Sequence, residues 1–489
     1  MRAFPFVSAL LGFIVIAPAL QTGWYADDAF YWALPGTLAA RHESLLAAIE
    51  HAIVLWLVGN ARFYPGLVVE KYLVFATFTN LLAYKAFLIA TTLLTLELFR
   101  RCVARYTSLA TGNLAALAAC AILQERAYHD AILAYNAMPQ FVAIAMLLSL
   151  LAFTDVLDRG RLGARALALG CFALAAITYE EVYAFGLLYL ALAKARGRTW
   201  AAALRASSPF LGISVLLILL AAALHVAFPV HSLYALSFAP LPVLRTGLEQ
   251  IAAAFPLVYW AADPNGIFGR VNLEDFLRNA PLDPLVGATF AVAAWLALRQ
   301  VAGERIRLAP LCTIGALIVV LPAFPVALLA KYQHELRPGL GYLPVFVEYF
   351  GVALLIAAGM LALRRLRARR TATLVCALAV GLVAAMTQAT NVHVARALAP
   401  ERDAQLALQQ ALQHGLLRGI PDGATVTFQP PVGWIADDGD GPDGISSSGL
   451  FYAYAHARVR LLPQSADADV VLSYDPAART WHAQRWTSR

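Results

Sequence analysis

Apolar stretches long enough to cross a lipid bilayer recur along most of this chain, and they limit its fold more than any other feature. A transmembrane helix needs about 20 apolar residues. Stretches near that length lie at 4–20, 73–99, 109–123, 138–153, 166–177, 182–193, 209–228, 285–298, 308–329, 343–363 and 372–387. Charged residues make up 14% of the chain, whereas soluble domains carry roughly a quarter. We therefore predict a polytopic α-helical membrane protein with about eleven transmembrane helices.

Basic residues gather in every second loop between these stretches. Examples are Arg100, Arg101 and Arg105 after the second stretch, and "LRRLRARR" from residue 363. Cytoplasmic loops retain Lys and Arg, so we expect a multi-pass protein of the inner (cytoplasmic) membrane with a cytoplasmic N-terminus. The first stretch lacks a clean small-x-small cleavage site, so we expect it to stay as a span rather than be removed as a signal peptide.

One apolar segment, "LLAAIEHAIVLWLVG" (45–59), is ambiguous because it resembles a short span. If it crossed the membrane, all later basic loops would face outward. We therefore interpret it as an amphipathic helix on the outer surface, with Glu43, Glu50 and His51 toward water or the site.

The composition changes at about residue 391, which predicts two domains. Residues 1–390 form the transmembrane domain, with outer amphipathic helices at about 24–70 and an outer loop at 231–283. Residues 391–489 form a small soluble α/β domain on the periplasmic or extracellular side. The net charge of +7 follows from the basic inner loops, so no nucleic-acid partner is predicted.

Four segments of the terminal domain carry secondary-structure signals. Residues 400–417 are typical of a helix, and "GIPDGATVTF" (419–428) is typical of a turn that enters a strand. The segments 449–463 and 469–484 alternate as strands do, the second with a turn at Asp475 and Pro476. The composition of the acid-rich stretch 437–449 predicts a mobile loop. Because it lacks the final Glu of a calcium-binding loop, we expect a solvated turn there rather than a calcium site.

Ionisable residues gather on the predicted outer side. Charged groups near a bilayer cost free energy, so such residues are often functional. They come from distant segments: Asp27 and Asp28 in "YADDAFYW", Arg62 in "GNARFYPG", Glu125, Arg126, His129 and Asp130 in "QERAYHDAILAYN", and Lys331, His334 and Arg337 in "KYQHELRPGLGY". Lys85 is expected at mid-depth of the second span.

Each of these residues also has a structural explanation. The acid pair can cap a helix, and Glu180 and Glu181 of "TYEEVY" can solvate a tight turn. Arg126 can bind either lipid phosphate or substrate phosphate. Glu70 and Lys71 can simply mark the membrane boundary.

These motifs and this topology resemble the GT-C superfamily of integral-membrane glycosyltransferases, which use polyprenyl-phosphate-linked sugars. The resemblance is carried by "YADDAFYW" (25–32), "RFYPG" (62–66) and "ERAYHD" (125–130), and by an outward C-terminal domain. It implies a GT-C-like fold and the transfer of a hexose or pentose from a polyprenyl-phosphate donor. The acceptor would be an extracytoplasmic glycan, lipid or protein, and membrane lipid would surround the protein.

The same resemblance implies roles for individual residues. An Asp takes the proton of the acceptor hydroxyl, and cations stabilise the departing phosphate. We expect Asp27 or Asp28 to be the base, with Asp28 preferred. Asp130, with Glu125 and His129, is expected to bind the acceptor or to share a divalent cation (Mg²⁺ or Mn²⁺) with Asp28. The expected phosphate ligands are Arg62, Lys85, Arg337 and Lys331, and the expected substrate pocket is Tyr25, Tyr31, His334 and Tyr342.

Two other functions stay open from the sequence. A polysaccharide ligase or polymerase of the O-antigen ligase type also uses a polyprenyl-linked donor, and it places essential Arg and His residues in a late outer loop such as "KYQHELRPG" (331–339). A sugar or lipid transporter (flippase) predicts inverted repeats and ionisable groups through the bilayer depth.

Overall fold

The protein is described here by a computed structural model that covers residues 4–127, 129–229, 234–264, 266, 274, 282–301, 306–365, 369–429, 445, 447–462 and 468–485. Most of the acid-rich stretch 437–449, and much of the outer loop predicted at 231–283, lie outside the described residues.

Helices make up most of the described chain. In the first half they are α1 (Phe4–Ile16), α2 (Asp27–Tyr31), α3 (Leu34–Arg41), α4 (Leu45–Asn60), α5 (Pro65–Thr77), α6 (Leu81–Tyr106), α7 (Leu109–Ile122), α8 (Met138–Arg159), α9 (Leu162–Thr178), α10 (Gly186–Ala195) and α11 (Trp200–Ala227). Then follow α12 (Pro240–Ala253), α13 (Pro256–Ala262), α14 (Pro284–Gln300), α15 (Leu308–Ala327), α16 (Ala330–Glu335), α17 (Val345–Leu363) and α18 (Arg369–Gln413). Short 3₁₀ helices lie at Ala17–Gln21, Tyr135–Ala137 and Glu180–Phe185.

Seven of the described helices are long and apolar enough to cross a membrane, or eight if the bent pair α3 and α4 counts as one span. They are Phe4–Gln21, Leu81–Tyr106, Tyr135–Arg159, Trp200–Ala227, Leu308–Ala327, Val345–Leu363 and Arg369–Gln413. The other predicted stretches form the shorter helices α7, α9, α10 and α14. The protein is therefore a polytopic α-helical membrane protein, as predicted, although fewer than eleven helices meet this length and composition test.

Helix α7 forms the centre of the bundle. All its residues after Leu109 are buried, and most of them are Ala or another small residue. Small side chains let neighbouring backbones approach closely inside a membrane domain. At Gly112 a Cβ atom would lie 2.6 Å from the carbonyl oxygen of Arg100 on α6, so this contact between the two helices requires glycine.

The predicted second span (73–99) is wrong at its start. Helix α5 ends at Thr77, and Asn80 caps the N-terminus of α6 by accepting a hydrogen bond from the backbone N–H of Ala83 at 3.1 Å. An N-cap asparagine satisfies one of the free N–H groups at a helix start. Lys85 consequently lies near the beginning of α6 and not at mid-depth of a span.

The ambiguous segment 45–59 forms α4, which is bent by 104° from α3. Ser44 caps α4, and one face of the helix is buried through Ala48, Ile49, Ala52 and Trp56. Glu50 and His51 are exposed on the other side. The exposed face also carries Leu46, Val54 and Val58, so the position of this helix on the outer surface stays a prediction.

Helix α18 joins the two predicted domains without a break. It continues through Pro400, and the predicted boundary at 390 and 391 lies inside it. The C-terminal part then forms β1 (Ala424–Phe428), α19 (Gly449–Ala455), β2 (Val459–Leu461), β3 (Val470–Asp475) and β4 (Thr480–Arg485). The strand order is β2-β1-β3-β4, with β1 parallel to both neighbours and β3 antiparallel to β4.

The strand predicted at 449–463 is wrong in its first half, which forms α19. An apolar run with aromatic residues at alternate positions can also form a helix, and here tertiary packing decides. Gly449 on α19 and Gly36 on α3 approach so closely that a Cβ atom on either glycine would overlap the other helix. The same contact lets the indole N–H of Trp32 donate to the hydroxyl of Tyr454 at 2.9 Å. The predicted hairpin turn at Asp475 and Pro476 is confirmed.

Candidate functional site

Asp28 is a fully buried carboxylate at the start of α2. Its Oδ2 accepts a hydrogen bond from the hydroxyl of Tyr84 on α6. Its Oδ1 accepts one from the backbone N–H of Tyr135 at 2.9 Å. Three segments that are distant in sequence therefore meet at this side chain. Asp27, by contrast, is only half-buried, so the two adjacent acids lie in different environments.

The environment of Asp28 changes its acidity. Burial raises the pKa of Asp28 from 3.8 to about 7. The hydrogen bond from Tyr84 and the positive charge of Lys85 lower the pKa of Asp28, and the negative charge of Asp27 raises it. A carboxyl that changes protonation near neutral pH is suited to act as a general base.

Left-handed backbone conformations lie in both segments that form this site. Ala26 has a φ of 52°, and Tyr135, Asn136 and Ala137 have φ values of 64°, 49° and 67°. Such conformations cost energy in residues other than glycine, and they cluster at active sites. The strained backbone at Ala26 and at residues 135–137, the two segments that meet at Asp28, therefore marks this region as a candidate active site.

A chain of hydrogen bonds connects Asp28 to a second acid, the half-buried Glu70. The hydroxyl of Tyr84 accepts from the backbone N–H of Asn136 at 3.0 Å, and the side-chain amide of Asn136 donates to Glu70. Burial raises the pKa of Glu70 well above its usual value. We call Asp28, Tyr84, Asn136 and Glu70 the acid cluster.

Lys71 lies beside this cluster and is also buried. Its ammonium group donates to the hydroxyl of Tyr31 at 2.6 Å and lies 4.1 Å from the centroid of the Tyr31 ring. Glu70 and Lys71 both have hydrogen-bond partners inside the protein, and their interpretation as markers of the membrane boundary stays a prediction. The sequence signal was their position in an otherwise apolar segment.

Lys85 is buried behind Asp28. Its ammonium group donates to the backbone carbonyl of Leu133 at 2.6 Å. It thus brings a positive charge to the acid cluster and ties α6 to the loop before α8.

Asp130 organises that loop. Its Oδ1 accepts from the backbone N–H groups of Ile132 and Leu133 at 2.7 and 2.8 Å, and its Oδ2 accepts from that of Arg126 at 2.9 Å. Burial raises the pKa of Asp130 to about 6, against these hydrogen bonds. Asp130 thereby supports the backbone that brings Tyr135 to Asp28, and its role in acceptor binding stays a prediction.

Glu125 and Arg126, at the start of the same loop, form hydrogen bonds with other parts of the protein. Glu125 accepts from the backbone N–H of Ala19 at 3.1 Å. The guanidinium of Arg126 donates to the carbonyl of Leu340 at 2.8 Å, to the hydroxyl of Tyr349 at 3.0 Å, and to the carbonyl of Ala253. The guanidinium of Arg126 is thus buried among protein acceptors, although its Nε has no hydrogen-bond partner among the described residues, and phosphate binding by Arg126 stays a prediction.

A second group of side chains, which we call the cation cluster, consists of Arg62, Glu180, Tyr234 and Lys331. Arg62 is buried and forms an ion pair with Glu180. Its guanidinium carbon lies 4.9 Å from the ring centroid of Tyr234, and the ammonium nitrogen of Lys331 lies 5.2 Å from the same centroid. Two predicted phosphate ligands are thus brought together around one aromatic ring.

The cation cluster also revises the interpretation of "TYEEVY". Glu180 contacts Arg62, and Glu181 is buried. Burial, and then the negative charge of Glu180, raise the pKa of Glu181 to about 8. The two acids therefore do not solvate a tight turn.

His129 lies between the two clusters. Its Nδ1 contacts the hydroxyl of Tyr135, whose backbone N–H binds Asp28. Its ring centroid lies 5.1 Å from that of Tyr342, which in turn lies 4.3 Å from that of Tyr332. Burial, and then the charge of Lys331, lower the pKa of His129 to about 3. His129 is therefore neutral at physiological pH.

The remaining predicted site residues are divided between the interior and the surface. Tyr25 is buried and its hydroxyl donates to the carbonyl of Ala127. Tyr31 contacts Lys71, as described above. His334 and Arg337 are exposed, so they differ in setting from Arg62 and Lys85.

Within the described parts of the chain, no group of three or more His, Cys, Asp and Glu side chains is placed to hold a metal ion. Both carboxylates already accept hydrogen bonds from backbone N–H groups, and a cation bound by Asp28 and Asp130 would have to compete with these hydrogen bonds. The divalent cation therefore stays a prediction.

No protein-family model matches the sequence, and no curated protein matches it. Among solved structures, the chain is similar to the crystal structure of ArnT from Cupriavidus metallidurans in the apo state. That match covers 95% of this chain and 86% of that chain, with 14% sequence identity and a TM-score of 0.38. Function has to be inferred from the site itself.

Proposed function

We propose that this protein is a membrane glycosyltransferase of the GT-C type. It moves a sugar from a polyprenyl-phosphate donor to a hydroxyl group on an acceptor outside the cytoplasm. The observation that carries the proposal is the buried Asp28, which is fixed by Tyr84 and by the backbone of Tyr135 and has a pKa near neutrality.

Asp28 acts as the general base. As the acceptor oxygen bonds to C1 of the sugar, its proton passes to the carboxylate of Asp28. The bond between C1 and the phosphate oxygen breaks, and the polyprenyl phosphate leaves with that electron pair. The two hydrogen bonds to Asp28 hold the carboxylate in one orientation, which favours proton transfer because the base does not have to be reoriented.

The cation cluster binds the leaving phosphate. This phosphate gains negative charge as the bond to C1 breaks, so fixed cations stabilise the transition state more than the bound donor. Arg62 and Lys331 meet at Tyr234, and Lys85 supplies a third positive charge beside Asp28. The buried Lys71 is a further candidate for the same task. Tyr25, Tyr31 and Tyr342 are the proposed sugar-binding residues, because aromatic rings are suited to pack against sugar faces.

The proposed orientation places both clusters and the C-terminal domain on the periplasmic or extracellular side of the inner membrane. This follows from the basic loops at the opposite ends of the helices. The acceptor is a glycan, a lipid or a protein of the cell envelope.

A transfer assay tests this function. Full-length protein in nanodiscs is mixed with radiolabelled polyprenyl-phosphate hexoses and pentoses and with a membrane extract as acceptor. We expect the label to move to an acceptor, and we expect Arg62→Ala to raise KM for the donor. Arg245→Ala, which removes an exposed ion-paired arginine, is the matched control. If no label is transferred in nanodiscs and the donor crosses the membrane of proteoliposomes that contain the protein, the proposal is contradicted and a flippase is favoured.

A further inference from the structure

We propose that Gln405, on the part of α18 that belongs to the C-terminal domain, is a positioning residue for the acid cluster. This inference rests on the proposed function of Asp28 as a base. It assigns the C-terminal domain a part in transfer that no motif of the sequence indicates.

Gln405 is fully buried and binds the backbone of Trp24 with both ends of its amide. Its Oε1 accepts from the N–H of Trp24 at 2.7 Å, and its Nε2 donates to the carbonyl of Trp24 at 2.7 Å. Two hydrogen bonds to the same residue fix both the position and the direction of the chain. Trp24 lies outside any helix, four residues before Asp28, so its backbone depends on such a partner.

The contact requires a glycine next to Trp24. A Cβ atom at Gly23 would overlap the amide oxygen of Gln405 and would lie 2.9 Å from the Cα atom of Arg402. The segment before the two acids is therefore shaped to receive this turn of α18.

Trp24 passes the constraint to Asp28 through its side chain. The indole stacks on the ring of Tyr84, with centroids 4.7 Å apart and an angle of 27° between the planes. Tyr84 donates the hydrogen bond to Asp28. A shift of Trp24 would consequently move Tyr84, which donates this hydrogen bond, and also the backbone that leads to Asp28, which accepts it.

The C-terminal sheet holds the same turn of α18 from the other side. The indole N–H of Trp481 on β4 donates to the carbonyl of Ala404 at 2.9 Å. Arg479, just before β4, forms an ion pair with Asp403 at 3.3 Å. Sheet, helix turn, Trp24, Tyr84 and Asp28 thus form a continuous series of contacts.

A second amide on α18 supports the loop before α8 in a similar way. Asn391 is fully buried, accepts from the backbone N–H of Glu125 at 2.8 Å, and donates to the carbonyls of Val15 and Leu123 at 2.7 and 3.0 Å. Gln405 follows Asn391 by about four helical turns, so both amides lie on nearly the same face of α18. One helix therefore supports both segments that meet at Asp28.

Gln405→Met tests the proposal, because it keeps the length of the side chain, removes its hydrogen bonds to the Trp24 backbone and adds no charge near Asp28. The matched control is Gln410→Met, at an exposed position on the same helix. We expect Gln405→Met to lower kcat about tenfold to a hundredfold and to move the acid limb of the pH profile of kcat/KM by about half a pH unit or more. The proposal would be overturned if the variant only melts at a lower temperature. In that case the folded protein would keep the wild-type kcat, and the acid limb of its pH profile would not move.

Amide hydrogen exchange gives a readout that does not need activity. In the full-length protein we expect Gln405→Met to speed exchange in the segments 22–32 and 129–137, and Gln410→Met to leave both unchanged. Faster exchange in 22–32 alone would overturn the proposal, because the constraint would not reach the acid cluster. A wild-type protein that transfers no sugar would contradict the proposed function, and hydrogen exchange would still decide on the coupling.

Discussion

The hydroxyl of Tyr84 donates a hydrogen bond to the fully buried carboxylate of Asp28 and accepts one from the backbone of Asn136. The Tyr84 side chain on α6 thus joins α2, which begins with the two acids, to the strained segment 135–137 before α8. Tyr84 holds the proposed base in position, and its hydrogen bond lowers the pKa of Asp28 against the larger effect of burial.

Tyr84→Phe removes this hydrogen bond and keeps the ring. The hydrogen bond lowers the pKa of Asp28, so its loss raises that pKa and the base stays protonated up to a higher pH. We expect the acid limb of kcat/KM to move upward by about one pH unit. Tyr189→Phe, which removes a buried hydroxyl bonded to Ser149, should leave the limb in place. A limb that moves equally in both variants would contradict this prediction.

Asp27→Asn and Lys85→Gln should move the same limb in opposite directions. The negative charge of Asp27 raises the pKa of Asp28, and the positive charge of Lys85 lowers it. Without Asp27, Asp28 loses its proton at a lower pH, and the limb moves below about 7. Without Lys85, the limb moves above about 7. The measurement is kcat/KM from pH 5 to 9, and shifts in the same direction would be incompatible with Asp28 as the titrating base.

The ion pair between Arg62 and Glu180 predicts a specific pattern of stability. Removing one partner leaves a mostly buried charge without its counter-ion, so Arg62→Met and Glu180→Gln should each cost on the order of 3 kcal/mol. The double variant should recover part of that loss, because neither charge remains. Melting temperatures in detergent measure the effect. Losses that simply add in the double variant would show that the pair is not coupled.

The contact between Gly36 and Gly449 predicts how the C-terminal domain is attached. Gly36→Ala inserts a methyl group into the backbone of α19, and we expect a loss on the order of 3 kcal/mol. Gly170→Ala is the matched control, since a Cβ atom there has nothing within 4 Å. The melting temperature of each variant decides. Equal values would mean that α3 and α19 are not packed against each other as described.

The sequence identified the elements whose signals are local. Apolar stretches marked the helices, and Asp28, Arg62, Lys85 and Lys331 were found because charged residues are rare near apolar segments. Contacts between distant segments carry no local signal, so the roles of Tyr84 and Asn136 and the partner of Arg62 could not be predicted. The same limit explains α19, where packing of Gly449 against Gly36 overrides an alternating pattern.

The most direct test of the account is the single-turnover rate of sugar transfer at saturating donor, compared between wild type, Asp28→Asn and Asp27→Asn at matched amounts of folded protein. We predict that Asp28→Asn lowers the rate by about 10²- to 10⁴-fold, as expected for loss of a general base. Asp27→Asn should keep most of the activity. Transfer at the wild-type rate in Asp28→Asn would contradict the assignment of Asp28 as the catalytic base.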